Sequence, residues 1–297
     1  MQPNPVLKQL GFSNDDRVVI IHTDDIGMCQ ASVSAFAEMV DFGLISSGAV
    51  MVPCPWFLEA AAYAKDHPEA DLGVHLTLTS EWETYRWGPI STRDPETGLM
   101  DALGYFYRSS EEVWEHADPD AAIKELNAQI TQALQAGMTL THIDTHMGSV
   151  AHPRLIPGYI QLATQYGLPP MIPRMSAETL MSNEGVDQET AEMISGMIHT
   201  LEEMGLPLLD YLSGLSLEDE KDRFGQAKQA LGALKPGLTH FIIHPSKDTP
   251  ELRRITESWA CRVADFETFT SDATRAFIKN EGIQVIGYRD LMALMPS

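Results

Sequence analysis

Four places in the 297-residue chain gather side chains able to hold a metal ion or move a proton: Asp24-Asp25, His75, the His142/Asp144/His146 group, and His244. Each belongs to or ends an apolar or β-branched run: RVVIIHT at 17 to 23, DLGVHLTL at 71 to 78, TLTHIDT at 139 to 145, and THFIIH at 239 to 244. One histidine at a strand end is usually a satisfied structural residue. Four such ends in one chain point to a shared site. A carboxylate and two imidazoles from three strands, Asp25, His75 and His146, would leave a coordination position open for water, as catalytic metal centres do. A metal there would lower the pKa of that water and polarise a carbonyl. Asp24 is then the expected general base and His244 the general acid. That is hydrolytic chemistry.

The spacing leaves alternatives open. Adjacent residues of an extended strand point to opposite sides, so Asp24 and Asp25 need not share a task. The pair also suits the N-cap region of a helix over 28 to 42. His142, Asp144 and His146 at i, i+2, i+4 share one strand face. Buried there, they need partners: a cation, or one another. Asp144 could equally hold a histidine tautomer from behind. Two imidazoles and a carboxylate suit Zn²⁺, while an oxygen-rich water shell would admit Mg²⁺, Mn²⁺ or Co²⁺.

The elements that position these residues alternate. Strands are expected at 17–23, 48–52, 71–78, 139–145 and 239–244, with a short one at 170–175 and a last one at 283–288. Helices are expected at 30–42, closed by Gly43, and at 56–65, 153–166 and 266–280, with another opening at Thr249-Pro250-Glu251. Asp118-Pro119 reads as an N-cap and first helical residue, with Ile123, Leu126, Ile130 and Ala133 on the buried face. The stretch 176–236 reads as mostly helical. Gly73 beside His75 leaves room for a close approach. Repeated βα units imply a parallel sheet or barrel in one domain spanning 1–297. Residues 79–118 break the rhythm with turn signals and six aromatics, Trp82, Tyr85, Trp87, Tyr105, Phe106 and Tyr107, and read as an insertion or lid. Its aromatic faces, Trp87 among them, are the expected sugar platform, with loop packing as the alternative.

Charge narrows the partners. Lys plus Arg number 20 against 42 for Asp plus Glu, a formal net charge of −22. Without a basic run, nucleic acid and anionic membranes are excluded as expected partners. No apolar leader or 18-residue apolar window is present, and Cys29, Cys54 and Cys261 are widely spaced and odd in number, so a cytoplasmic protein with free thiols is expected. A homodimer is only the usual prior.

At these residues the sequence resembles the YdjC-like family of carbohydrate deacetylases, some of which remove an N-acetyl group from chitooligosaccharides. The stretches that carry the resemblance are TDDIGMC at 23 to 29, GVHLTL at 73 to 78, THIDTHMG at 141 to 148, IIHPS at 242 to 246 and YRDL at 288 to 291. They run in the family's order across nearly the whole chain. The resemblance implies a distorted TIM-like barrel and a metal-dependent deacetylase acting on an acetylated sugar. By position it implies Asp25, His75 and His146 as metal ligands, Asp24 as the catalytic carboxylate and His244 as the late histidine near the leaving amine. Looser analogy to other polysaccharide deacetylases offers Arg174 as a residue orienting the base or binding substrate, with a surface salt bridge as the alternative. His22, His142, Asp144, Arg174 and Trp87 are thus expected to support the ligands or touch substrate. The chain departs from the family pattern at His22, where Asn is usual, at Met147-Gly148, where histidine often follows, and at Ile243 and Ser246, where Cys and Gly commonly flank the late His-Pro. The rivals are another metal-dependent amidohydrolase or phosphoesterase on the same scaffold, and a non-catalytic metal-stabilised sugar-binding barrel.

Overall fold

The computed structural model describes residues 3–183 and 187–296. Its frame is a parallel sheet of seven strands: β1 (Arg17–Ile26), β2 (Ser47–Val50), β3 (Leu72–Leu76), β4 (Ile143–Thr145), β5 (Tyr211–Gly214), β6 (Gly237–Ile243) and β7 (Gln284–Val285). The spatial order is β4-β3-β2-β1-β6-β5, and β7 pairs with the first half of β1. Between β4 and β5 the chain at 169–174 adds single backbone bonds, from Ile143 N to the Pro169 carbonyl and from Leu209 N to the Ile172 carbonyl. The sheet is therefore a curled α/β half-barrel, consistent with a TIM-like barrel. In a parallel sheet all strands end on the same side.

Period-2 alternation sorts the side chains. On β1, Val19 and Ile21 pack outward with Phe241, Ile243, Leu231 and Phe269. Val18 and Ile20 pack with Leu238, Leu209 and Tyr288. His22 continues the second face. Its neighbours there are His142 and His240, with ring centroids 5.0 and 4.5 Å away. On β3, Leu72, Val74 and Leu76 join the largest apolar cluster with Leu126, Ile130 and Phe36, which leaves Gly73 and His75 facing the histidines. The inner face thus holds an apolar plug at one end and polar side chains above it, all buried.

Several expected elements differ. β5 lies inside the stretch read as helical; YLSG is short and largely exposed, so it carries no apolar alternation to read. The expected strand at 170–175 makes only isolated bridges, Ile143 with Pro170 and Pro173 with Leu209, because its prolines cannot donate to a ladder. The helix expected at 266–280 is two, Trp259–Phe269 and Asp272–Asn280, broken where Ser271 caps the second. The last strand has two residues, and Tyr288 already begins a helix. The helix expected at 30–42 is present, capped by Gly43 at φ 73°. Its N-cap is Cys29, not the Asp24-Asp25 pair, which lies within the last residues of β1. Residues 79–118 are built into the body: Trp87, Leu99, Phe106, Val113 and Ala117 are buried in the largest apolar cluster.

Candidate metal and acid–base site

The two carboxylates reach one place because β1 ends irregularly. Its register against β2 runs Thr23 to Gly48 and then Ile26 to Val50, one extra residue on β1. Asp25 takes up the excess in the left-handed region, φ 62°, a conformation Asp tolerates better than most side chains. Asp24 and Asp25 consequently lie on the same histidine: His75 Nε2 is 3.7 Å from Asp24 Oδ2 and 3.5 Å from Asp25 Oδ1. The opposite-sides expectation for an extended pair fails at this bulge.

His75 lies within β3, and His146 begins the turn after β4, with Nδ1 3.2 Å from Asp25 Oδ1. One ligand atom from each of Asp25, His75 and His146 falls within 4.8 Å of the others, and all three residues are buried. Each has its other polar atom held from behind. Asp144 Oδ1 is 2.9 Å from His75 Nδ1, Glu81 Oε2 is 3.0 Å from His146 Nε2, and Arg262 Nη1 donates to Asp25 Oδ2 at 2.7 Å. What remains is Asp25 Oδ1, with His75 Nε2 and His146 Nδ1 turned toward it at 3.5 and 3.2 Å. Asp25 Oδ1 and His75 Nε2 are buried with no hydrogen-bond partner. An unpaired buried carboxylate oxygen is costly, and a divalent cation answers it. Imidazoles braced by carboxylates are the usual support of metal-binding histidines. The donor set fits such an ion.

Electrostatics agree. Burial by itself would raise both aspartates. It is overridden at Asp25 by Arg262 and His146, which hold the carboxyl well below the usual carboxylate range. At Asp24, His75, the His22 hydrogen bond and His244 do the same. Burial disfavours a proton on His75, but Asp144 and Asp24 raise it to about 9; Glu81 and Asp25 likewise raise His146 to about 10. His244, just past β6, lies with Nε2 3.8 Å from Asp24 Oδ2, and burial lowers it.

The expected i, i+2, i+4 face is divided. His146 joins Asp25. Asp144 braces His75, and His142 lies deeper, with Nε2 2.9 Å from His22 Nε2. His22 Nδ1 is in turn 2.8 Å from Asp24 Oδ1. A Cβ on Gly73 would sit 2.6 Å from the His142 ring, so the close approach expected at this glycine is that imidazole. Arg174 pairs with Glu202 at 2.7 Å and Asp210 at 2.9 Å, and lines a cavity of about 910 Å³ whose walls include Thr145 and Gly148. Trp87 is 3% exposed, gives its indole N–H to the Thr79 carbonyl and stands behind His146, centroids 6.2 Å apart. Its faces are taken by packing, whereas Trp82, Tyr85 and Tyr107 are half-buried and Tyr105 is exposed.

Sequence reasoning missed Arg262, Glu81 and Asp265. Asp265 is fully buried, accepts from His244 N at 2.9 Å and pairs with Arg223 at 2.7 Å. Each is a lone charged residue outside the histidine-bearing strands; the only available signal was an Arg and an Asp three apart in one late helix.

The YdjC-like protein family model matches residues 18–280. This chain belongs to the YdjC-like family. A carbohydrate deacetylase of Thermus thermophilus is 35% identical over 261 residues, 88% of this chain and 89% of that protein. Another from Thermoanaerobacter pseudethanolicus is 25% identical, covering 92% of this chain and 98% of its own length. A crystal structure from Enterococcus faecalis, provisionally described as a cellobiose-phosphate cleavage protein, superposes with a TM-score of 0.76 at 24% identity, over 93% of this chain and 99% of that one. The two chains share one fold. Among the described residues, no helix is long and apolar enough to cross a membrane.

Proposed function

We propose that this protein is a divalent-metal-dependent hydrolase that removes an N-acetyl group from an acetylated amino sugar or oligosaccharide. The observation that carries this reading is the wiring of Asp25, His75 and His146, each braced at one atom with the other turned toward a common place, beside the Asp24–His244 pair. The relatives named carbohydrate deacetylases supply the reaction class.

Asp25, His75 and His146 would hold the cation; when bound, it supplies Lewis acidity to a water and to the acetyl carbonyl. Asp24 remains ionised beside them and accepts the proton from the attacking water. It is held in place by His22 on Oδ1. His244, 3.8 Å away, protonates the departing amine. Burial lowers its basicity, so it passes on to the amine the proton that Asp24 took from the water and keeps none for itself. Arg262 cannot double as a phosphate clamp, because its charge is committed to Asp25 inside the protein. That favours an amide over a phosphoester. Trp82 and Tyr85 offer surface to a sugar face.

The test is acetate release from N-acetylglucosamine and its oligomers, after loading with Zn²⁺, Mg²⁺, Mn²⁺ or Co²⁺ and measuring metal content. Equimolar acetate and free amine are expected. Full metal occupancy with no acetate from any acetamido sugar would overturn the reading in favour of a binding protein.

A further inference from the structure

The base does not end at His22. His22 Nε2 lies 2.9 Å from His142 Nε2, His142 Nδ1 lies 3.0 Å from Thr141 Oγ1, and Thr141 Oγ1 lies 2.5 Å from Asp71 Oδ1. Asp71 directly precedes β3, at the end of the sheet opposite the metal ligands. A continuous hydrogen-bonded line therefore crosses the barrel interior from Asp24 to Asp71. His22, His142 and Thr141 are all fully buried. Tyr288 stacks on His142 at 3.9 Å and 11°, so the ring cannot turn out of the line.

Such a line has a direction. The Thr141 hydroxyl has one proton and two neighbours. Directed at His142 Nδ1, it leaves His142 protonated on Nε2; that N–H donates to His22 Nε2, and His22 keeps its proton on Nδ1, where it donates to Asp24. Directed at Asp71, it reverses every link, and a neutral His22 turns a bare nitrogen toward the carboxylate. We infer that Asp71, Thr141 and His142 are positioning residues for Asp24, setting the first direction so that His22 Nδ1–H holds the base. In that arrangement Asp71 closes the line as a protonated acid donating to Thr141. Its burial raises its carboxyl, which favours that form, and its Oδ2 already accepts from Arg289 N at 2.7 Å. His142 is kept neutral by burial beside His22 and His240, as a relay imidazole must be.

The kinetic part rests on the hydrolase reading above; the direction of the line does not. The experiment uses metal-loaded protein with ¹⁵N-labelled histidine. Wild type should show neutral His22 protonated on Nδ1. Thr141→Val keeps the volume and removes the hydroxyl; Asp71 Oδ1, 3.8 Å from His142 Nδ1, is too far to replace it, so the donor that kept Nδ1 bare is lost and the line can reverse. This variant should show His22 protonated on Nε2 and lose roughly 10-fold or more in kcat with KM and metal content unchanged, the scale of an outer-shell defect. Thr141→Ser should restore both. Should Thr141→Val not fold, Asp71→Asn decides: Arg289 N needs the amide oxygen, so the amide N–H faces Thr141 and preserves the direction, leaving His22 unchanged and kcat within about twofold. An Nε2-protonated or doubly protonated His22 in wild type, a tautomer switch in Asp71→Asn, or full kcat in a tautomer-switched Thr141→Val overturns the inference. If wild type turns over no acetamido sugar, the reaction reading fails, and the tautomer arm still decides the line.

Discussion

Asp25, His75 and His146 each give one polar atom to a brace and turn the other inward, and this dictates their response to pH. Without metal, His75 and His146 hold protons up to about 9 and about 10. A cation needs them neutral, so binding must expel those protons, and affinity should rise with pH by about tenfold per unit for each proton displaced. Calorimetry in buffers of different ionisation enthalpy should find one to two protons released at pH 7. A pH-independent affinity between 6 and 8 would remove the pair from the ligand set. Asp24 is separable from binding: Asp24→Asn should retain its metal and lose roughly 10²–10⁴-fold in turnover, measured as acetate release. Turnover near wild type would end its role as base. At this scale the residue types were legible from the sequence, but their braces were not. Arg262 lies 237 positions from Asp25, and no local pattern connects them.

Two elements turn those residues into a site. The first is the bulge that ends β1, which spends one extra residue and a left-handed Asp25 to bring both carboxylates onto His75. Strand periodicity assigns them opposite sides, and only pairing against β2 reveals the slip. The second is the helix Trp259–Phe269. Its Arg262 and Asp265 face two strand ends at once, Asp25 at the end of β1 and the His244 backbone after β6. It was hidden because its expected start, at 266, lies beyond both residues. Arg262→Met should leave Asp25 with only the His146 and His75 imidazoles as partners and cost up to about 3–5 kcal/mol in urea unfolding of the metal-free protein. Loss below about 1 kcal/mol would mean that water reaches the carboxylate and the pair is not closed.

For the whole molecule, a polar interior stands on an apolar plug, and the cation would complete it. Chelation should therefore lower the melting temperature by about 4 °C relative to protein at 100-fold excess over Kd, and re-addition should restore it. Identical melting curves would mean that no metal binds the folded state selectively. The sequence alone determined the α/β class and the strand ends at which Asp24, Asp25, His75 and His146 come together, because apolar runs and their polar ends are local patterns that burial enforces. Tertiary structure alone decided that Arg262 meets Asp25, that Arg174 pairs with Glu202 and Asp210, that Trp87 is packed away, and that Asp24 is tied through His22 to Asp71. Those pairings follow from how the parallel sheet curls and which strand ends it brings together, and a buried charge takes the partner that the curl puts within reach.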